Sequence, residues 1–482
     1  MYSHFFRPGI LEIDEVIERI KMDQEQSWLT TRTIGEDDHT ANTMYEYFMR
    51  PEPFEDLGPI RTIRDKYLGK CKVRDMTVGM TRNAKEENKK RITAYLHPYP
   101  HTRINTAKPL QGWYKGLHEP EGTRNRPCFT EAILTEPYGG WCAVGCAFCY
   151  INSGFRGYRG TGLITVPLNY GEQIAKQISK MRRGAAGYFS SFTDPFTPLE
   201  AYYHNTQRAA EEFVKVGLPI FFLSRLRYPQ WAIELMKKNP HSYAQKSINT
   251  SNAEDWAKLS PGAMSLNDHL KDIARLKKHG IYVSIQCNPI VAGITTHEDV
   301  FLLFDKLKAA GADHVIVKFV EAGFSWAPAM VTRLKKRFGP VRGKAFEDLF
   351  TENIGGQKTI CEEYRLSAHR KYSNYARKVG LTYATCYEYQ YQRNEEGNII
   401  EKTGVSIGRK FTTAAQCHGQ AVPMYSRSSS EEMFQPLDVC PPSGCLYCAS
   451  ENDGEPRCGD ELAGEAKALK LVDLKLEFKR EA

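Results

Sequence analysis

Three cysteines stand within eight residues, Cys142-x3-Cys146-x2-Cys149, and clustered thiolates of this kind are metal ligands before they are packing groups. Three thiolates on one short loop can hold three irons of a [4Fe-4S] cube, while Gly139, Gly140 and Gly145 let the backbone approach it closely. The fourth iron then stays open. Chemistry on a bound ligand needs such a position, as the open site of catalytic zinc centres illustrates. Phe148 and Tyr150 flank the last cysteine and would shield the cluster. A zinc loop short of one ligand and a ferredoxin fragment would use the same residue types.

A second set lies near the carboxyl terminus: Cys440, Cys445, Cys448 and Cys458 fall within nineteen residues, with Cys386 and Cys417 upstream. Two readings fit it. Four thiolates from the six could hold an auxiliary [4Fe-4S] cluster, or Cys440, Cys445, Cys448 and Cys458 could hold a structural zinc. The total of 13 cysteines is odd and clustered, which argues against a disulfide framework and for a reducing cytoplasm. Cys71, Cys128, Cys287 and Cys361 stand singly and read as small buried hydrophobes.

The elements that must position these ligands can be read from the 482 residues, of which 41% are hydrophobic and 25% charged. Apolar runs such as Leu218–Leu223 are too short to cross a bilayer, and the start, Met-Tyr-Ser-His-Phe-Phe, has no basic n-region. From Cys128 onward, six short apolar runs alternate with helix-period segments. The runs are Phe129–Leu134, Gly187–Phe192, Leu218–Ser224, Tyr243–Asn249, Ile281–Cys287 and Val315–Val320. Helices are expected at Gly171–Arg183, Thr206–Val216, Pro229–Lys238, Leu266–His279, His297–Ala310 and Ala327–Phe338, the fourth capped by Ser265 and stopped by Gly280. This is the pattern of an α/β fold, a partial (β/α)6 barrel with functional groups at the carboxyl ends of its strands. The expected organisation is an amino-terminal extension over 1–125 with one amphipathic helix at Leu11–Met22, the barrel over 126–345, and a cysteine-rich region over 346–482, where the period is lost.

With its three-cysteine spacing directly after the first strand of such a barrel, the sequence resembles the radical S-adenosylmethionine (SAM) superfamily. The resemblance implies that SAM chelates the open iron, that an external one-electron reductant of flavodoxin or ferredoxin type feeds the cluster, and that a 5′-deoxyadenosyl radical takes hydrogen from the substrate. Within the superfamily, residues 128–325 are similar to the spore photoproduct lyase branch. The segments that carry the likeness are Ser191-Phe-Thr-Asp194, Ser224-Arg225, Ser247-Ile-Asn249, Leu259-Ser-Pro-Gly262 with Ser265, and Asn288-Pro-Ile290. By that likeness Ser191, Thr193, Ser247 and Asn249 line the SAM pocket, and Arg225 lies near the SAM carboxylate. Tyr150, with Tyr202 and Tyr203, is a candidate relay. Where the lyases carry a cysteine hydrogen donor this chain has Ser191, whose O–H bond is too strong to serve a carbon radical, so photoproduct repair is not expected. The reaction of a related group, the bacteriophage radical SAM isomerases that rearrange a glycine on thymine from nitrogen to carbon linkage, needs hydrogen abstraction, migration and hydrogen return, and would suit a lyase-like barrel that has lost the lyase's own donor.

Charge distribution bears on the substrate. Residues 1–60 carry 5 basic and 13 acidic side chains, whereas residues 61–127 carry 16 basic and 6 acidic. The second segment, the run Arg333-Leu-Lys-Lys-Arg337 and the aromatic interleaving of Tyr387-Glu-Tyr-Gln-Tyr391 suggest phosphate and base contacts. Thymine in DNA is therefore the expected substrate, with a peptide or small molecule as the alternative. The chain is expected in the cytoplasm, the host's if the source is viral, without a membrane partner.

Overall fold

The computed structural model describes residues 58–79, 89–96, 99–106, 110–114, 132–153, 163–181, 183–324, 326–354, 357–386, 388–396, 399–406, 408–414 and 416–437. The expected helix at Leu11–Met22, and Cys128, Cys440, Cys445, Cys448 and Cys458, lie outside them.

The basic segment folds into a sheet. β1 (Arg61–Asp65), β2 (Gly69–Gly79), β3 (Lys89–Tyr95) and β4 (His101–Ile104) pair antiparallel in sequence order. β5 (Leu110–Tyr114) turns back antiparallel onto β6 (Ala132–Thr135), the first barrel strand, and β7 (Ile164–Pro167) returns to pair parallel with β4. Thus the extension is joined to the barrel by hydrogen bonds at two places. Its core includes Tyr99, Ile164, Val166 and Tyr203, packed with Tyr138, Trp141 and Ala143 of the cysteine loop. The loop is supported from behind by this sheet.

The short β8 (Arg183–Gly184) pairs antiparallel with Tyr425–Ser426 in a small separate sheet, and the barrel sheet continues with β9 (Ala186–Phe189), β10 (Ile220–Ser224), β11 (Tyr243–Ser247), β12 (Tyr282–Ile290) and β13 (His314–Phe319). All six expected runs are strands, the first described only from Ala132, and they pair parallel in chain order. Alternation along each strand divides the side chains. Ala244, Ile248, Val283, Ile285, Val315, Val317 and Phe319 join the core between sheet and helices, which leaves Gln245, Ser247, Ser284, Gln286, Ile316 and Lys318 on the inner face. The helices follow the expected pattern, with Ser265 accepting from the Asp268 amide at the cap of Leu266–Lys278.

Two features differ from expectation. The helix expected to end at Phe338 runs on to Leu349 across a kink at Gly339, whose φ of 81° Pro340 follows. Beyond the small antiparallel sheet of β14 (Glu321–Gly323), β15 (Glu352–Ile354) and β16 (Gln357–Thr359), the parallel sheet also gains a seventh strand. The helix Glu362–Lys378 leads into β17 (Thr382–Thr385), which pairs parallel with β13. That helix buries Arg365, His369, Tyr372 and Ser373, so a core-facing element lies where the apolar period is lost. The sheet does not stop near residue 345.

Candidate active site

The cysteine loop leaves β6 at the carboxyl ends of the strands and is held by backbone. Gly139 and Thr165 exchange backbone hydrogen bonds of 3.0 and 2.8 Å. Gly140 takes φ 72°, and a Cβ there would lie 2.4 Å from the Leu163 carbonyl, so only glycine fits. On the other side Gly262 presses on the loop so closely that a Cβ would lie 2.2 Å from the Ala143 carbonyl; its amide donates to the Val144 carbonyl, and the Ala147 amide donates to the Leu259 carbonyl. The Leu259–Gly262 segment is therefore a clamp on the loop. Ser260 Oγ sits 3.3 Å from Cys146 Sγ.

Arginines surround the same loop. Arg225 places its guanidinium 5.2 Å from the ring centres of both Phe148 and Trp256, donates to Ser260 Oγ and reaches the Asn288 carbonyl, each at 3.2 Å. Arg333 is buried and donates to the Ala147 carbonyl at 2.6 Å, while Arg337 donates to the Lys258 carbonyl. These two arginines hold the loop and its clamp from inside, which corrects the expectation that the Arg333 run faces phosphates.

Burial pushes the Cys149 thiol up to about 12, and the neighbouring Cys146 charge adds to the rise. Burial likewise raises Cys142 well above the ordinary thiol range, with Asp194, Cys146 and Cys149 contributing. Three thiolates this close repel one another unless a cation compensates them, which is the service a bound iron centre performs. Among the described residues no three Cys, His or carboxylate groups gather around a single ion; a cube that takes one thiolate per iron spreads its ligands more widely. The residues present fit such a cube.

Around the loop, the expected residues take different roles. Tyr150 donates to the Ser191 carbonyl at 2.8 Å and packs edge-on to Phe192, so these three form one wall. Ser191 Oγ is buried with no partner. Thr193 is committed elsewhere: its hydroxyl lies 2.6 Å from Glu136 Oε1, which also accepts from its amide at 2.9 Å. It ties the turn after β9 to the turn after β6, where a direct SAM contact was expected. Asp194 accepts from Ser224 Oγ at 2.9 Å and from the Arg225 amide at 2.7 Å, joining the ends of β9 and β10. Ser247 ends β11 on the inner face. Asn249 is buried beyond it, its Nδ2 donating to the Pro289 carbonyl at 2.9 Å and its Oδ1 unpartnered.

Sequence reasoning missed Gln245 and Gln286 on the inner face, where Gln286 Nε2 donates to Gln245 Oε1 at 3.0 Å and Gln245 Nε2 has no partner. The signal was available, since in each strand the glutamine stands two residues from a serine, Gln245 with Ser247 and Gln286 with Ser284. Lys318 and Glu321 were missed too; they pair at 2.6 Å where β13 leaves the barrel. An unpartnered buried polar atom costs roughly 1–3 kcal/mol. Ser191 Oγ, Gln245 Nε2 and Asn249 Oδ1 together offer donors and acceptors that suit the amine, carboxylate and ribose hydroxyls of SAM.

The upstream cysteines of the second set approach the sheet from different ends. Cys386 follows the carboxyl end of β17, whereas the Cys417 carbonyl accepts from His314 at the start of β13. Tyr203, a candidate relay, bonds Arg103 and His101 in the amino-terminal sheet, and Tyr391 is buried with its hydroxyl on the Asn353 carbonyl. Both are packing residues. Tyr387 lies outside the described residues.

Comparison with known proteins completes the picture. The chain is 60% identical over 459 residues, 93% of its length and 94% of the relative's, to the radical SAM Nα-GlyT isomerase of Pseudomonas phage M6. Among solved structures, it matches a spore photoproduct lyase variant with bound AdoMet and dinucleoside spore photoproduct at 16% identity and TM-score 0.42, covering 54% of this chain and 76% of that one. It matches Streptococcus suis SuiB bound to S-adenosylmethionine at 12% identity and TM-score 0.34, covering 51% and 48%. No family model matches.

Proposed function

The chain belongs to the radical SAM isomerase family that the phage relative represents, and from that premise we propose that it rearranges a glycine carried on a thymine base in DNA from nitrogen to carbon linkage. The end-to-end likeness to that isomerase carries this reading. The family's bound [4Fe-4S] cluster and SAM supply the 5′-deoxyadenosyl radical that abstracts hydrogen. The net change breaks the bond between the thymine methylene carbon and the glycine nitrogen and makes one to glycine Cα. One hydrogen leaves Cα and one is returned to nitrogen, so the balance needs no outside oxidant.

What the chain's own residues do follows from their placement. Cys142, Cys146 and Cys149 would hold three irons, and Ser191, Gln245, Ser247 and Asn249 would orient SAM between the strand ends. Arg225 fixes the floor of the cluster loop through Ser260 and Asn288 and keeps a positive charge near the SAM carboxylate. Phe148, Tyr150 and Phe192 exclude water from the reacting atoms. Ser191, with a strong O–H bond, does not quench a substrate radical. The Lys318–Glu321 pair suits the glycine: the ammonium would meet its carboxylate and the carboxylate its amine, each partner exchanging one opposite charge for another.

The cysteines Cys440, Cys445, Cys448 and Cys458, with either Cys386 or Cys417 as a further donor, are assigned to a second centre, [4Fe-4S] or zinc. Loss of about four irons in Cys445→Ser/Cys448→Ser would identify the cluster, and loss of zinc the ion. A flavodoxin- or ferredoxin-type reductant completes the system. No described helix is long and apolar enough to cross a membrane, which accords with action on DNA in a host cytoplasm.

The test is to incubate the reduced, cluster-loaded protein with SAM and glycinyl-thymidine DNA and to analyse the digested nucleosides. An isomer of unchanged mass bearing a primary amine is expected. Unchanged nucleosides would refute the reading.

A further inference from the structure

The amino-terminal sheet carries an open cavity that the radical chemistry does not use. Its volume is about 610 Å³, and its walls include Lys90, Arg91 and Tyr95 of β3, Arg103 of β4 and Thr165 of β7. That is within the span of about 300–1,000 Å³ typical of sites for small-molecule-sized groups. Among the described residues, the nearby carboxylates are already engaged. Asp65 takes both Arg103 nitrogens at 2.6 Å, and Asp75 accepts from Arg61 and from Thr93. Arg103 is further fixed 3.9 Å over the Tyr95 ring, so it is a wall of the cavity and Lys90 and Arg91, both exposed, are its accessible cations. The exposed Arg64, Lys66, Lys70 and Lys72 extend the positive surface over the same sheet.

A second observation ties the cavity to the active site. Thr165 is 4% exposed and its Oγ1 has no partner. Its backbone pairs with Gly139, three residues before Cys142. The cavity therefore shares β7 with the cluster loop.

We propose that this cavity binds backbone phosphates of the DNA strand flanking the modified base, with Lys90 and Arg91 pairing with phosphate oxygens. The proposal rests on the reading that DNA is the substrate. Such contacts fix register without reading sequence and make binding depend on salt.

The test uses the full, cluster-loaded chain and a fluorescent single-stranded oligonucleotide, with anisotropy followed across salt concentrations. Lys90→Glu/Arg91→Glu should weaken binding about tenfold or more at 0.1 M salt and flatten the slope of log affinity against log salt by about 1.4, two contacts at about 0.7 each. Lys215→Glu/Lys238→Glu, an equal charge change on exposed residues of the barrel's helical flank, should change affinity by less than about twofold. Equal weakening in both double variants, or none in the first, overturns the proposal. Product analysis on the wild type separates the two claims: conversion of glycinyl-thymidine DNA with no effect of Lys90→Glu/Arg91→Glu on binding removes the cavity and keeps the substrate. No conversion, with the binding effect intact, does the reverse.

Discussion

At the floor of the barrel, where the strands begin, Tyr188, Phe221 and Tyr243 stack at 4.5 Å spacings and His418 closes them edge-on with its Nδ1 on the Tyr243 hydroxyl. His314 is satisfied on both sides, by Thr382 Oγ1 and by the Cys417 carbonyl. Towards the mouth, β9 and β11 lead into Ser191 and Asn249, each of which keeps a side-chain atom with no partner. Gln245 and Ser284, register partners midway along β11 and β12, also keep one unpartnered side-chain atom each. One end has its hydrogen bonds made within the chain and stabilises the fold, while the other leaves capacity for a ligand at a cost to stability. Substitutions at the two ends should therefore fail in opposite ways.

The largest contrast is expected from Cys146→Ala at the mouth, which should abolish formation of 5′-deoxyadenosine from SAM under dithionite while leaving the circular dichroism spectrum intact. At the floor, Phe221→Ala should lower stability by about 3–5 kcal/mol in urea unfolding, and retained stability would show that the aromatic stack is not a closure. The floor should also respond to pH. Burial holds His314 down to about 4, below the ordinary histidine value, so the folded state resists its protonation. The associated stability is full above about pH 6.5 and is lost as pH falls towards 4, by on the order of 3 kcal/mol. Hydrogen exchange in residues 416–437 should rise over that window, and His314→Gln should remove the dependence. Smallest is Asn249→Ala. SAM affinity should fall by about tenfold while stability falls by only about 1–3 kcal/mol, the cost of taking the Nδ2 donor from the Pro289 carbonyl, because the amide oxygen lost had no partner. A loss of stability equal to that of Phe221→Ala would erase the distinction between the ends.

The cysteine loop and the six barrel strands were legible because their signals are local: ligand spacing in one case, short apolar runs bounded by caps in the other. The seventh strand was not, since the helix before it buries Arg365, His369 and Tyr372 in place of aliphatic residues, with Arg365 and Glu388 paired at 2.8 Å. Nor was β2, whose buried residues change face between Val73 and Met76 and so break the period of two. Thr193 and the Arg333 run were legible as residues but not as roles. A hydroxyl on Glu136 and a guanidinium on the Ala147 carbonyl depend on neighbours 57 and 186 positions away, which only the folded chain brings together.

The most direct test of the mouth as the reacting end is isotopic. Glycinyl-thymidine DNA deuterated at the glycine methylene would be incubated with reduced protein and SAM, and the 5′-deoxyadenosine weighed. Deuterium should appear in 5′-deoxyadenosine with wild-type protein, and neither label nor product with Cys146→Ala. Rearranged product accompanied by unlabelled 5′-deoxyadenosine, or product formed by Cys146→Ala, would contradict the account.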